Sequence, residues 1–183
     1  MRFILLCFLV LSLPLVRAKA EALGGGKGGP FVQYNNKSLS SFDSAMSGNP
    51  VVIGGIGFGW ASKTFRVGGG GGGGFLWSGN ESAQFGIGYG GIVGEYIISE
   101  WLMSRMMVGG GGYAVSKVIS ETDTTVQVQK IASGGFILFH PQIVADLKVG
   151  QWASLGFSIG YFLPNVAKLQ SPSFSVQLTF GRI

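Results

Sequence analysis

The sequence predicts an all-β protein: a small antiparallel up-and-down transmembrane barrel of about eight strands, set behind a cleaved signal peptide. Three observations carry this. An apolar run opens the chain, large apolar residues alternate with Gly, Ser and Gln through most of the remaining length, and only 11% of the 183 residues are charged. Disordered chains combine high charge with low hydrophobicity, and collagens need Gly at every third position. A 46% apolar content and 33 glycines without a triplet period exclude both.

Residues 1–20 come first. Arg2 supplies a positive start, Phe3 to Val16 form an apolar run broken by Pro14, and Ala18-Lys19-Ala20 is a small-x-small site. That is the layout of a secretory signal, with Ala20 the last residue removed. An N-terminal anchor is the alternative, but the run is short for a span of about 20 residues. Cys7, the only cysteine, lies within it, and Leu5-Leu6 lacks the small residue that a lipid-anchored signal needs before its Cys. Removing Arg2, Arg17 and Lys19 lowers the net charge from +5 to +2. No nucleic-acid partner is expected, since that would need clustered Lys and Arg. The exported chain also has no Cys, so pairing and packing must hold it together without disulfides. Residues 21–28 read as a Gly-rich linker and 29–183 as the barrel.

Helical spans fail on inspection. The stretch 149–167 is free of charged residues, but Gly150, Gly156, Gly160 and Pro164 make a poor helix. Its period is two: Leu155, Phe157, Ile159 and Tyr161 alternate with Ser154, Gly156, Ser158 and Gly160. The same alternation places candidate strands at 29–36, 50–61, 63–75, 83–98, 102–118, 124–139, 141–149, 151–163 and 172–182. Bacterial single-chain barrels have even strand numbers. Either 29–36 is not a wall strand, or the break at His140-Pro141 is only a kink. Eight strands are expected, with ten as the alternative. Turns are expected at Ala61-Ser62, Gly79-Asn80, Gly150-Gln151 and Pro164-Asn165. Leu39, Phe42 and Met46 have helical spacing, so 38–47 is either a short amphipathic helix or an ordinary loop.

The two faces of the strands differ in kind. A water-soluble sandwich would carry many charges on its second face, whereas here that face is mostly Gly, Ser and Gln. The bulky face is therefore expected against lipid: Phe85, Ile87, Tyr89, Phe157, Ile159, Phe174, Val176, Leu178 and Phe180. The same parity sends Arg66, Glu95, Arg105, Asp146 and Lys148 to the lumen, as paired charges of both signs. A loop position beyond the membrane is the alternative for Glu95 and Lys148. Large residues change from odd positions before Gly90-Gly91 to even ones after it, which predicts a bulge there. The runs Gly68 to Gly74 and Gly109 to Gly112 read as wall curvature and packing space. Trp60, Trp77, Trp101 and Trp152 fall near strand ends, as interfacial aromatics do.

Gly86-Ile87-Gly88-Tyr89-Gly90-Gly91 matches a dinucleotide-binding pattern, but it lies within a strand and no helix follows to meet a pyrophosphate. Ser133 and His140 are too far apart along a strand to form a nucleophilic dyad. No catalytic residue, cofactor site or metal site is expected.

AQFGIGYGG, SLGFSIGYF and SFSVQLTFGRI, together with the export signal, resemble the small Gly-rich outer-membrane β-barrels of diderm bacteria. Such proteins usually end in an aromatic residue; here the last alternating residue, Phe180, is followed by Gly181-Arg182-Ile183. The resemblance implies an outer-membrane location, with membrane lipids and the barrel-assembly machinery as partners. The expected role is non-enzymatic, structural or surface-interacting. A narrow pore and a secreted soluble barrel holding an apolar ligand are the alternatives.

Overall fold

The computed structural model describes residues 25–37, 39–42, 48–77, 83–122 and 125–181. Eight antiparallel strands close into one barrel in sequence order: β1 Gly26–Asn35, β2 Val51–Trp60, β3 Phe65–Trp77, β4 Ala83–Ile97, β5 Leu102–Thr122, β6 Thr125–Lys148, β7 Ala153–Pro164 and β8 Ser171–Gly181. Closure comes from β1 pairing with β8, for instance Val32 opposite Val176. The signal segment and the Gly79-Asn80 turn lie outside the described residues. So does most of the 38–47 element, of which a 3-10 turn at Leu39–Ser41 is seen.

Both ambiguities in the strand count resolve. Strand 29–36 is a wall strand that starts earlier, at Gly26, and so takes in part of the expected linker. The break at His140-Pro141 lies inside a single long β6. Proline is tolerated because its missing N–H falls on the β7 side: Pro141 still pairs with Met106 of β5, while the β7 ladder is interrupted between Phe139 and Gln142.

The expected bulge at Gly90-Gly91 is absent. Gly90 faces Gly71 and Gly110, Gly91 faces Gly70 and Gly109, and both registers run through unbroken. The bulky residues change face while the strand keeps its parity. Phe85, Ile87 and Tyr89 are therefore buried inside the barrel, which corrects their expected lipid-facing placement, whereas Ile92 and Tyr96 are exposed outside.

Inward glycines explain why bulk can turn inward here. A Cβ on Gly70 would stand 3.1 Å from Ile56 Cγ1 and 3.3 Å from Met107 Cε; one on Gly72 would meet Val52 Cγ1 at 2.8 Å. The glycine-rich β3 thus leaves room for large side chains of its neighbours, at the expense of strand propensity. Outward glycines such as Gly57 and Gly86 have nothing within 4 Å of a Cβ. Gly72→Val should cost about 1–3 kcal/mol by overpacking. Gly57→Val should leave stability unchanged or raise it by up to ~1 kcal/mol. Urea midpoints of the refolded variants in detergent would check the contrast; equal losses would refute the assigned faces.

Candidate functional site

Turns of four residues join strands at one end of the barrel; at the other the connections run from two residues, in the long β5–β6 hairpin, to fifteen, between β1 and β2. Near the short-turn end, three neighbouring strands bring charges onto one rung: Arg66 of β3 faces Glu95 of β4, which faces Arg105 of β5. Arg66 Nη1 donates to Glu95 Oε2 at 2.9 Å, and Arg105 Nη2 and Nε donate to Glu95 Oε1 at 2.8 and 3.1 Å. Glu95 is completely buried. Arg105 Nη1 then crosses to Gln177 Oε1 of β8 at 2.8 Å, and its guanidinium lies 5.2 Å from the centroid of the Phe58 ring. A second ion pair joins Lys27 of β1 to Asp146 of β6.

Four of the five lumen candidates therefore come together inside the short-turn half: Arg66, Glu95, Arg105 and Asp146. Lys148 does not join them. It keeps inward parity but is exposed at the barrel rim, opposite Ser154. Lys27, which the sequence alone assigns to the linker, takes the position beside Asp146. Alternation could have shown it, because Lys27, Phe31, Gln33 and Asn35 share one buried face.

Above the charges the interior divides. Toward β6, β7, β8 and β1, neutral polar pairs sit among Phe31, Phe136, Leu138 and Phe162: Tyr89 donates its hydroxyl to Gln33 Oε1 at 2.9 Å, and Ser158 and Ser175 hydroxyls meet at 2.6 Å. His140 Nε2 lies 2.8 Å from Ser173 Oγ, while Ser133 is exposed on the opposite face of β6. The sequence pair Ser133–His140 is thus divided between the two faces. The rest of the interior is apolar, and Leu39, Phe42 and Leu169 from the long connections complete it. Phe42 stacks near Phe85 and Tyr113, with centroids 6.3 and 5.5 Å away. Among the described residues, aromatic rings and paired charges crowd the lumen.

The outer surface is equally divided. Phe157, Ile159, Phe174, Val176, Leu178 and Phe180 are all exposed on the outer face of β7 and β8. Along β6 the outward apolar series runs from Ile137 to Val149, roughly 40 Å of strand and about 30 Å of height at the tilt of a barrel. Trp101 and Trp152 stand exposed at the short-turn end, level with Tyr96 and Phe180; Tyr34, Phe139 and Tyr161 are exposed toward the other end. No helix among the described residues is long and apolar enough to cross a membrane.

No family model and no curated protein matches the chain in sequence. Solved structures do match in fold. Ail, the attachment invasion locus protein of Yersinia pestis, aligns with a TM-score of 0.55 at 8% identity, over 86% of this chain and 96% of that one. Ail in complex with the heparin analogue sucrose octasulfate aligns at 0.54 and 9% identity, with the same coverage. Neisserial surface protein A aligns at 0.49 and 7% identity, over 86% and 95%. The fold is that of the small eight-stranded outer-membrane barrels.

Proposed function

We propose that this chain is a non-enzymatic integral outer-membrane protein whose barrel is closed to solutes and which serves the envelope structurally or through its surface elements. The observation that carries this reading is the exposed apolar belt around a filled interior. In water such a belt would drive aggregation; in a bilayer it is the required outer face. The interior argues against both alternatives, because a pore needs an open path and a ligand-binding soluble barrel needs a cavity. The likeness to Ail, a protein named for attachment and invasion, supports a surface role.

By the usual asymmetry of such barrels, the short turns face the periplasm and the long connections face outward. Membrane lipids and the barrel-assembly machinery are then the partners, reached through a signal removed after Ala20. Sequencing the envelope form should find Glu21 first; an intact Met1 would refute export by cleavage. Fractionation should recover the protein only with detergent, and liposomes containing it should show no channel steps. Recovery in soluble extract would favour the soluble barrel, and stepwise conductance would favour a pore.

A further inference from the structure

Gln177 of β8 carries one unpaired end into the charged layer. Its Oε1 accepts from Arg105 Nη1 at 2.8 Å, but its buried Nε2 has no hydrogen-bond partner among the described residues. Asp146 of β6 is its complement: Oδ2 receives Lys27 Nζ, while the buried Oδ1 has no such partner. Both residues are enclosed, Gln177 at 2% exposure and Asp146 at 5%. The Ser154 hydroxyl beside the carboxylate is engaged with Thr179 at 2.8 Å.

The register sets the two atoms on one rung. Asp146 faces Gly156 of β7, and Gly156 faces Gln177, so they flank a residue without a side chain. A Cβ on Gly156 would stand 2.6 Å from Gln177 Nε2. The amide therefore lies against the β7 wall, next to the strand that carries Asp146. Adjacent strands are about 4.8 Å apart. Donor and acceptor are thus neighbours that do not touch.

We propose that one water molecule is bound between them, accepting from Gln177 Nε2 and donating to Asp146 Oδ1. A buried donor and a buried carboxylate oxygen both cost free energy when left unpaired, which favours occupancy. The chemistry of the pair selects the ligand. One donor and one acceptor suit a neutral molecule that does both. An anion would meet Asp146 Oδ1, and a cation would meet Lys27. A gap of about one strand spacing admits a water and little more. Lys27 Nζ, with protons beyond the one given to Asp146, is the third partner that an enclosed water commonly has.

The bridge also gives the amide its direction. Turned over, Gln177 would set Nε2 against the Arg105 guanidinium and Oε1 toward Asp146, donor to donor and acceptor to acceptor. Through the water, the Lys27–Asp146 pair joins the cluster of Arg105, Glu95 and Arg66 into one network. That network ties six of the eight strands together and spans the β1–β8 closure. A single enclosed molecule opens no path for solutes. The site lies inside the wall, so it does not depend on the membrane assignment.

Water-to-protein nuclear Overhauser spectra test this on the full chain folded in detergent micelles, with nitrogen-15 in the glutamine side chains. The Gln177 amide protons should show water cross-peaks of the sign given by a long-lived bound molecule. Gly156→Ala sets a methyl against the amide and should abolish them. Ser154→Ala combined with Thr179→Val removes the neighbouring hydroxyls and should leave them, which separates bound water from relay through a hydroxyl. Unheated electrophoretic mobility reports whether each variant folds; if neither does, the wild-type cross-peaks decide. Their absence in the folded wild type, their persistence in folded Gly156→Ala, or their loss with the two hydroxyls would overturn the proposal. So would amide shifts that follow chloride at constant ionic strength, which would assign the site to an anion.

Discussion

Replacing Glu95 with Ala should destabilise the barrel by about 3–5 kcal/mol, because two guanidinium groups are left inside without their shared anion. Arg66 and Arg105 both donate to this carboxylate, and neither has an exposed route to water, since both are nearly fully buried. Such a loss is a large share of the total stability of a small domain. Loss of the folded band on unheated electrophoresis, or a sharply lowered urea midpoint, would show it. The joint replacement Arg66→Met, Glu95→Leu, Arg105→Met should recover much of the loss, because a buried ion cluster exchanged whole for apolar groups is often neutral. A Glu95→Ala variant of wild-type stability would mean that water reaches this rung and that the lumen is not filled there.

Leu178→Arg should be the next most damaging change. Leu178 is exposed on the outer face of β8, level with Leu155 of β7. An Arg at that position should cost roughly 2–4 kcal/mol near the bilayer midplane and less near an interface. Membrane assembly should fail or slow accordingly, measured as the folded fraction after insertion into vesicles. Thr179→Ser should have little effect, because the new hydroxyl can still meet Ser154 Oγ, now 2.8 Å from Thr179 Oγ1. Gln177 is less free to change than its small polar neighbours suggest, since it accepts from Arg105 across the lumen.

The alternation that reveals the strands is a property of neighbouring residues, so strand positions were legible along most of the chain. The C-terminal Ser173 to Phe180 alternates faultlessly, with Ser173, Ser175, Gln177 and Thr179 buried and Phe174, Val176, Leu178 and Phe180 exposed. Which face turns inward is a different matter, because it depends on the volume across the lumen. Phe85, Ile87 and Tyr89 look identical in pattern to Phe157 and Ile159, yet they point the other way. The difference lies in β3, whose seven glycines leave space that only distant partners can fill. The parity of β4 could have been read from Glu95, which shares a face with Tyr89 and Val93 across Gly91; the assumption of a bulge concealed it.

Pairing across the lumen was less legible still. Glu95 and Arg105 are ten residues apart on one hairpin, and their union follows from the short turn between β4 and β5. Lys27 and Asp146 are 119 residues apart and meet only because the barrel closes. Nothing local marks that pair, and the weak alternation of Gly26 to Gly29 hid the start of β1. Likewise, Ser133 and His140 are seven positions apart on β6, so parity alone sends them to opposite faces.

Bulky apolar residues are expected to face lipid on β7 and β8, whereas on the first half of β4 they face the lumen. Nuclear Overhauser contacts between lipid acyl protons and side-chain methyls test it without substitution, in the wild-type protein held in nanodiscs. Ile92, Ile159, Val176 and Leu178 should show acyl-chain contacts, and Ile87 and Val93 should show none. Acyl contacts at Ile87, with none at Ile92, would mean that β4 is turned inside out and that its large residues line the outer wall.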